Sequence, residues 1–172
     1  MDLIDNSPIA WQMSLAERRW LLSTIEAMKP RRVIEVGAGA STLAFAAHAR
    51  RVVSIDKAPS VELRDLLPRN VRLLRGRSRW LLPPALRLPA VDVVLIDGDH
   101  SHLGARDDLD TVLRARPRGE RMVIMHDTSN PGCRGGLEAA AWATCRWLID
   151  LDLDVLTSDT GWGGIGVARL AG

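Results

Sequence analysis

Residues 95–102, with the sequence LIDGDHSH, place two carboxylates and two imidazoles directly after an apolar run. These groups belong to Asp97, Asp99, His100 and His102. Carboxylates bind divalent cations, and imidazoles transfer protons near neutral pH, so the stretch fits a metal site or a proton-transfer site. It also fits an ordinary strand end followed by a helix cap. The secondary structure predicted around this stretch is needed to distinguish these three interpretations.

Short β-branched runs alternate with longer apolar runs along the chain, which predicts alternating strands and helices. The predicted strands are 32–37, 51–56, 71–76, 91–98 and 121–127. The predicted helices are 14–28, 41–49, 60–67, 102–116 and 136–150, and residues 154–170 are predicted to form two strands around a glycine-rich turn. Ser14 and Glu17 have the spacing of a capping box at the start of the first helix.

The first five predicted strands lack polar alternation, so helices are expected to cover both faces of their sheet. The predicted fold is therefore a single α/β domain over residues 1–172, with a doubly wound, mostly parallel seven-stranded sheet and an antiparallel C-terminal hairpin. Ligands bind such sheets beyond the carboxyl ends of the strands. Five predicted strands end there at Gly37, Asp56, Gly76, Asp97 and Asp127.

The composition argues against several function classes. The net charge of the 172-residue chain is +2, with acids and bases interspersed, so no basic surface for nucleic acid is expected. No apolar run reaches the roughly 18 residues of a membrane span, and the N-terminus lacks a signal-peptide pattern. The two cysteines of the chain do not form a metal-ligand pair and favour a reducing compartment. A cytoplasmic location is therefore expected.

A glycine-rich turn follows the first predicted strand, in the sequence VIEVGAGAST of residues 33–42. Gly37 and Gly39 let a ligand approach the backbone at the start of a helix. A dinucleotide-binding fingerprint would have a third glycine at position 42, where Thr42 stands. Glu35 would repel a pyrophosphate but suit an ammonium or sulfonium group, by contact or by supporting the turn. A buried carboxylate that only holds backbone amides is the alternative.

Two further strand ends complete a nucleoside-binding pattern. Asp56 ends the second predicted strand, where an acid can bind both ribose hydroxyls. The third strand ends at Gly76, Arg77 and Ser78, near the expected position of a nucleobase.

Together these residues resemble the class I S-adenosylmethionine (SAM) dependent methyltransferases. The resemblance is strongest to a small bacterial branch of O-methyltransferase-like and cephalosporin-hydroxylase-like proteins, and it covers almost the whole chain. Its motifs are Glu35-x-Gly37-x-Gly39-x-Ser41, Asp56, IDGDHS at 96–101 and His126-Asp127. Arg77 departs from the pattern, because the family has an acid there. The resemblance implies a Rossmann-like fold and a SAM site formed by Glu35, Gly37, Ala38, Gly39, Ser41, Thr42, Asp56, Lys57, Gly76, Arg77, Ser78 and Asp97.

Asp97 and Asp127 end neighbouring strands, so their carboxylates can share a hard divalent cation such as Mg²⁺. The metal-dependent O-methyltransferases that the chain resembles use this arrangement, with a third ligand beside the strand-five acid. Here the neighbours of Asp127 are His126 and Thr128, which departs from that pattern. Asn130 is the candidate third ligand.

His100 is the candidate general base, and Asp97 is the other candidate catalytic residue. The alternatives for His100 are helix capping and a hydrogen bond to Asp99. Asp99 is expected to cap the helix that follows, and His102 is expected on the helix surface.

The expected function is SAM-dependent O-methylation of a small-molecule or natural-product hydroxyl. Two alternatives stay open: a non-catalytic SAM-binding or scaffold protein, and a nicotinamide-dependent oxidoreductase, against which Glu35 and Thr42 argue. The resemblance is also compatible with a homodimer. Trp11 and Trp162 are candidate contacts for the methyl acceptor, with simple packing as the alternative, and Arg134 is a candidate for binding an anionic acceptor.

Overall fold

The computed structural model describes residues 4, 6–159 and 161–172. Its strands are β1 (Arg32–Val36), β2 (Arg51–Asp56), β3 (Val71–Arg75), β4 (Val93–Ile96), β5 (Arg121–His126), β6 (Leu148–Leu156) and β7 (Ile165–Leu170). Its α-helices are α1 (Leu15–Met28), α2 (Ala40–His48), α3 (Val61–Leu66), α4 (Ser78–Leu86), α5 (His102–Arg114) and α6 (Pro131–Ala139). Within these described ranges, no helix combines the length and the apolar character needed to cross a bilayer.

The strands form one seven-stranded sheet in the order β3-β2-β1-β4-β5-β7-β6. The five strands β1 to β5 pair in parallel, and β7 pairs antiparallel with both β5 and β6. This topology confirms the predicted α/β fold with its antiparallel C-terminal hairpin. The chain order reverses between β1 and β4, so the crevice at their carboxyl ends is the expected ligand site.

The sheet is buried on both faces because successive side chains of each central strand point to opposite sides. In β4, Leu95 belongs to a core that also contains Leu21 of α1 and Phe45 of α2. Its neighbour Val94 belongs to a second core that contains Leu109 of α5. Each such buried side chain contributes roughly 1.5–3 kcal/mol, and together they hold the strand ends in fixed positions.

Most predicted elements agree with the structure to within two residues at each end. The capping box of α1 is also present: the Glu17 amide donates to Ser14 Oγ at 3.3 Å, and the Ser14 amide donates to Glu17 Oε2 at 2.6 Å. The carboxylate of Glu17 is thereby fixed at the start of the first helix.

The predicted helix at 136–150 is wrong. The helix α6 begins earlier, because the Asn130 side chain caps it and Pro131 starts it with a pre-set φ angle. It ends at Ala139, and β6 already begins at Leu148. The sequence LIDLDLDVL of β6 alternates apolar and acidic residues, a period of two that indicates a half-exposed strand.

The helix α4 was not predicted, because it contains Pro83 and Pro84. A proline inside a helix removes a backbone donor and crowds the preceding turn. Burial of Leu82 and Leu86 in the core on the α5 face of the sheet stabilises α4 against this effect.

Candidate active site

A cavity of about 690 Å³ opens at the carboxyl ends of the parallel strands. Its volume is typical of sites for small molecules and cofactors. Most of the predicted cofactor residues line its wall: Gly37, Ala38, Gly39, Ser41, Asp56, Lys57, Gly76, Arg77, Ser78 and Asp97. Glu35 and Thr42 are not part of this wall; both are buried beneath it.

Gly37 is the point where the loop after β1 passes the end of β4. Its φ angle is +93°, and a Cβ atom there would lie 1.9 Å from the carbonyl oxygen of Asp97. Only glycine fits this position, because any side chain would collide with backbone. Around Gly39, by contrast, a Cβ atom would meet nothing within 4 Å, so the loop faces open space on that side.

Glu35 supports the glycine loop from behind. Three hydroxyls donate to its carboxylate: Ser41 Oγ at 2.5 Å, Thr42 Oγ1 at 2.6 Å and Ser54 Oγ at 2.6 Å. Thr42 Oγ1 in turn accepts from the Gly39 amide at 3.1 Å. Burial raises the pKa of Glu35 to about 7, although these hydrogen bonds act in the opposite direction. The carboxylate accepts from hydroxyls, not from backbone amides, and of the other roles left open for Glu35 this geometry favours support of the turn over direct ligand contact.

Asp56 links the ends of the first two strands. Its Oδ2 accepts from the Ala38 amide at 3.0 Å, and its Oδ1 accepts from the Ala58 amide at 2.6 Å. A carboxylate has about four lone-pair sites, so each oxygen keeps acceptor capacity for a hydroxyl in the cavity. The geometry is therefore compatible with ribose binding by Asp56.

Five side chains meet at the ends of β4 and β5 and form what we term the acid–imidazole cluster: Glu17, Asp97, His100, His126 and Asp127. His126 Nδ1 lies 3.0 Å from Asp97 Oδ1, and His126 Nε2 lies 3.5 Å from Glu17 Oε1. His100 Nε2 lies 3.1 Å from Asp127 Oδ2 and 3.5 Å from Asp97 Oδ1. His126 Nδ1 also lies 3.5 Å from Asp127 Oδ1, so His126 faces three carboxylates and His100 faces two.

The pKa values of the cluster follow from these pairs. Burial alone would lower the pKa of His126, but hydrogen bonds with Asp97 and Glu17 raise it to about 10. Burial would raise the pKa of Glu17, but hydrogen bonds with His126 and Ser14 lower it to about 2. The hydrogen bond with Asp97 raises the pKa of His100 against the effect of its burial. Glu17 and His126 are thus both ionised near neutral pH.

The turn before β7 fixes the cluster from the other side. Asp127 has a φ angle of +58°, and its Oδ1 accepts from the Gly163 amide at 2.8 Å. Glu17 Oε1 accepts from the Gly164 amide at 2.5 Å. Consequently α1, β5 and the turn before β7 together fix the positions of the Glu17 and Asp127 carboxylates.

The comparison with protein families identifies the chain. A family model described as a methyltransferase domain matches residues 34–128, which is more than half of the chain. The chain belongs to this methyltransferase family. The matched residues run from β1 through the glycine loop to the end of β5, and so include both sides of the cavity.

Solved structures share the fold of this methyltransferase. Cofactor-bound Rv0187 from MTB is 19% identical, with 98% of this chain and 86% of that chain covered and a TM-score of 0.71. The O-methyltransferase from Bacillus cereus in complex with S-adenosylhomocysteine (SAH) is 16% identical, with 95% and 84% covered and a TM-score of 0.69. The O-methyltransferase TomG from Streptomyces achromogenes, involved in tomaymycin synthesis and bound to SAM, is 18% identical, with 92% and 81% covered and a TM-score of 0.67.

At these identities the likeness shows a common fold, that of the class I SAM-dependent methyltransferases. No curated protein matches the chain by sequence.

Asn130 does not have the role that the sequence suggested. Its Oδ1 accepts from the amides of Gly132 at 2.9 Å and Cys133 at 3.4 Å, so it caps α6. These two bonds use the lone pairs of the amide oxygen, which removes Asn130 from the set of candidate metal ligands.

Three other side chains of the methyltransferase could hold an ion. Asp97, His126 and Asp127 each offer a ligand atom, and these atoms all lie within 4.8 Å of one another. The set combines carboxylate oxygens with an imidazole nitrogen, and that nitrogen could bind an ion only after the His126 imidazolium lost a proton. Mg²⁺ prefers oxygen ligands alone, whereas Mn²⁺ and similar ions also accept imidazole, so the donors fit a transition ion better than the predicted Mg²⁺.

The loop after β4 differs from expectation in one detail. Ser101, not Asp99, is the N-cap of α5, because its Oγ accepts from the Gly104 amide at 3.1 Å. Asp99 Oδ1 accepts from the Ser101 amide at 3.0 Å and thus shapes the approach to the helix. His100 makes its contacts within the acid–imidazole cluster, and His102 is exposed at the start of α5.

Two of the three candidate acceptor contacts lie away from the cavity wall. Arg134 donates to Glu138 at 2.6 Å and to Asp154 at 2.8 Å, and it does not line the cavity. Trp162 is exposed and does not line the cavity, whereas Trp11 does.

Sequence reasoning missed the contacts of Glu17 and His126 in the acid–imidazole cluster. Glu17 was recognised only as a helix cap, and its contact with the turn before β7 joins residues far apart in sequence. The His126-Asp127 pair at a strand end was the available signal for the cluster.

Proposed function

We propose that this methyltransferase transfers the methyl group of SAM to a hydroxyl of a small molecule, with His100 as the general base. When bound, SAM supplies an electrophilic methyl group on a sulfonium centre. The observation that carries the proposal is the position of His100. Its side chain is 36% exposed, lines the cavity and has Nε2 within 3.5 Å of both Asp97 and Asp127.

The wall of the cavity supports the cofactor part of the proposal. The open backbone at Gly37 and Gly39 suits close approach of the methionine portion. Asp56 suits the ribose hydroxyls, and the loop after β3 suits the base. Methyl transfer is an in-line displacement, so alignment of donor and acceptor by such a rigid wall contributes most of what the protein has to supply.

The acid–imidazole cluster supports the choice of a hydroxyl acceptor, since a hydroxyl must lose a proton as its oxygen is methylated. In the proposed step the acceptor hydroxyl gives this proton to the neutral imidazole of His100. Asp97 and Asp127 stabilise the imidazolium that results, and the same two carboxylates orient the ring. An acceptor that is already nucleophilic, such as a thiolate, would not need this arrangement.

Replacement of His100 tests the base. We expect His100→Ala to lower turnover by roughly 10²–10⁴-fold, the usual contribution of a general base, while SAH affinity stays close to that of the wild type. Turnover is measured with radiolabelled SAM and a panel of phenols, catechols and sugars, and affinity by titration calorimetry. His102→Ala is the matched control, because His102 is exposed two residues away. Unchanged turnover in His100→Ala would reject His100 as the base.

A second candidate mechanism adds a divalent ion, supported by the closeness of the ligand atoms of Asp97, His126 and Asp127. An ion held there would lower the pKa of an acceptor hydroxyl. In that case a chelator should abolish turnover, Mn²⁺ should restore it, and Asp127→Asn should weaken Mn²⁺ binding in calorimetry. Full turnover in the presence of chelator would leave His100 as the sole activating group.

A further inference from the structure

A second cavity, of about 480 Å³, lies at the far ends of α4 and α5 from the active site. Its lining includes Leu86, the last residue of α4, and Arg114, the last residue of α5. The first cavity is lined by Ser78 and Leu103, which lie at the starts of the same two helices. The two linings have no described residue in common, so the second cavity is a separate place for a ligand. Its volume falls within the range of small-molecule sites.

Positive charge dominates the lining of the second cavity. Four of its residues are arginines, at positions 87, 114, 116 and 118, and no acid is among the described residues that line it. Like charges gathered around one cavity repel each other, and an anion between them relieves this repulsion. The planar guanidinium presents its donors as a fork that matches the oxygens of a phosphate group.

The arginines of this cavity are available to a ligand. Arg87 and Arg118 are exposed and form no ion pair or side-chain hydrogen bond with the described part of the chain. Arg114 pairs with an acid of its own helix at 3.3 Å, but its side chain is 76% exposed, and such pairs contribute little to stability. Arg116 lies over the ring of Trp147, 5.0 Å from its centroid, a contact that orients the guanidinium without using a hydrogen-bond acceptor.

A buried arginine adds positive charge beside the second cavity. Arg121 of β5 is 3% exposed, and its Nη1 donates to the carbonyl oxygen of Ala115, which lines the cavity, at 3.2 Å. Its Nε donates to the carbonyl oxygen of Val91 at 3.4 Å. Both acceptors are neutral, and burial lowers the pKa of Arg121. A buried cation with only neutral partners is costly, so an anion in the adjacent cavity would stabilise it.

Helix stabilisation is the competing explanation for these arginines. Basic side chains at a helix C-terminus interact favourably with the helix dipole, and this accounts for Arg87 at the C-cap of α4 and for Arg114. The effect falls off within the last turn. It does not explain Arg116 and Arg118, which follow the C-cap of α5, or Arg121, which lies in a strand.

We propose that the second cavity binds a small organic phosphate, with Arg87 and Arg118 as its main ligands. The cavity is larger than a single phosphate group, and Pro83 and Leu86 contribute apolar lining for an organic portion. This binding site goes beyond the proposed methyl transfer and does not depend on it, because the two cavities are separate.

Calorimetric titration of phenyl phosphate tests the site. At pH 7.5 and low ionic strength, we expect saturable binding to the wild-type chain, tighter than that of inorganic phosphate. Arg87→Ala and Arg118→Ala should each weaken it by about tenfold or more, as for one lost hydrogen bond between charged groups. Arg19→Ala is the matched control, because Arg19 is exposed on α1 and lines neither cavity. Its affinity should equal that of the wild type, and urea unfolding confirms that each variant is folded.

Four outcomes of these titrations would overturn the proposal. The first is the absence of saturable phenyl phosphate binding to the wild-type chain. The second is an equal loss of affinity in Arg19→Ala and Arg118→Ala, which would indicate general attraction by charge. The third is a loss in Arg77→Ala but not in Arg118→Ala, which would place the phosphate in the active-site cavity. The fourth is binding of a single-stranded oligonucleotide through Arg118 without binding of phenyl phosphate, which would indicate a nucleic-acid surface instead.

Discussion

Two regions of the active site bury carboxylates at strand ends, but they give them different partners. Behind the glycine loop, Glu35 accepts hydrogen bonds from three neutral hydroxyls. At the ends of β4 and β5, Glu17 and Asp97 lie beside the imidazole of His126. Glu17 and Glu35 are both buried, so the comparison of these two carboxylates shows mainly the effect of their partners.

The partners decide the charge of each region. Hydroxyl donors do not offset burial at Glu35, whose pKa rises to about 7. Hydrogen bonds with His126 and Ser14 outweigh burial at Glu17, whose pKa falls to about 2, and both imidazoles of the cluster lower the pKa of Asp97. The glycine-loop region is therefore a scaffold with little fixed charge, whereas the acid–imidazole cluster is a set of ion pairs suited to proton transfer.

The largest expected effect comes from removing the cation of the cluster. His126→Ala leaves Glu17, Asp97 and Asp127 close together without the imidazolium between them. Breaking a buried ion pair in this way costs on the order of 3–5 kcal/mol, so the free energy of unfolding in urea at pH 7 should fall by about that amount. His48→Ala, at the end of α2, is the control. A loss as small as that of the control would show that the cluster is not held together by ion pairs.

A smaller effect is expected at Gly37, where the two regions touch. Gly37→Ala combines a strained positive φ angle with a clash against the Asp97 backbone, so we expect a loss of roughly 2–4 kcal/mol in unfolding free energy. SAH affinity should fall as well, because the loop has to move. Gly39→Ala should cost much less, since its Cβ atom enters open space. Equal behaviour of the two variants in urea unfolding would contradict the contact between the regions.

The fold and the glycine-loop region could be predicted from the sequence because their signals are local. Buried strands, glycines and strand-end acids stand in continuous stretches, as in residues 33–42. The same is true of the N-cap of α1, where Ser14 and Glu17 are three residues apart.

The acid–imidazole cluster could be predicted only in part, because its contacts are made by the fold. Glu17 and Gly164 meet across 147 positions, and no pattern in either segment indicates the other. The error at 136–150 has a similar origin: an apolar run rich in alanine has high helix propensity, while pairing of β6 with β7 stabilises a strand from Leu148 onward.

The smallest effect is a change in the pH dependence of stability, and it tests the hydroxyl-bound region alone. The pKa of Glu35 is about 7 in the folded chain against an ordinary value of 4.5. The stabilisation of the folded state by Glu35 is therefore fully present below pH 4.5 and is lost as the pH rises through 7. His126 and Asp108 act in the same direction, so the informative quantity is the difference between wild type and Glu35→Gln. We expect the wild type to lose on the order of 2 kcal/mol relative to the variant between pH 5 and pH 8, measured by urea unfolding. If the difference in unfolding free energy between wild type and Glu35→Gln does not change with pH, Glu35 is ionised throughout this range. Hydroxyl donors would then stabilise a buried carboxylate as well as the imidazoles do.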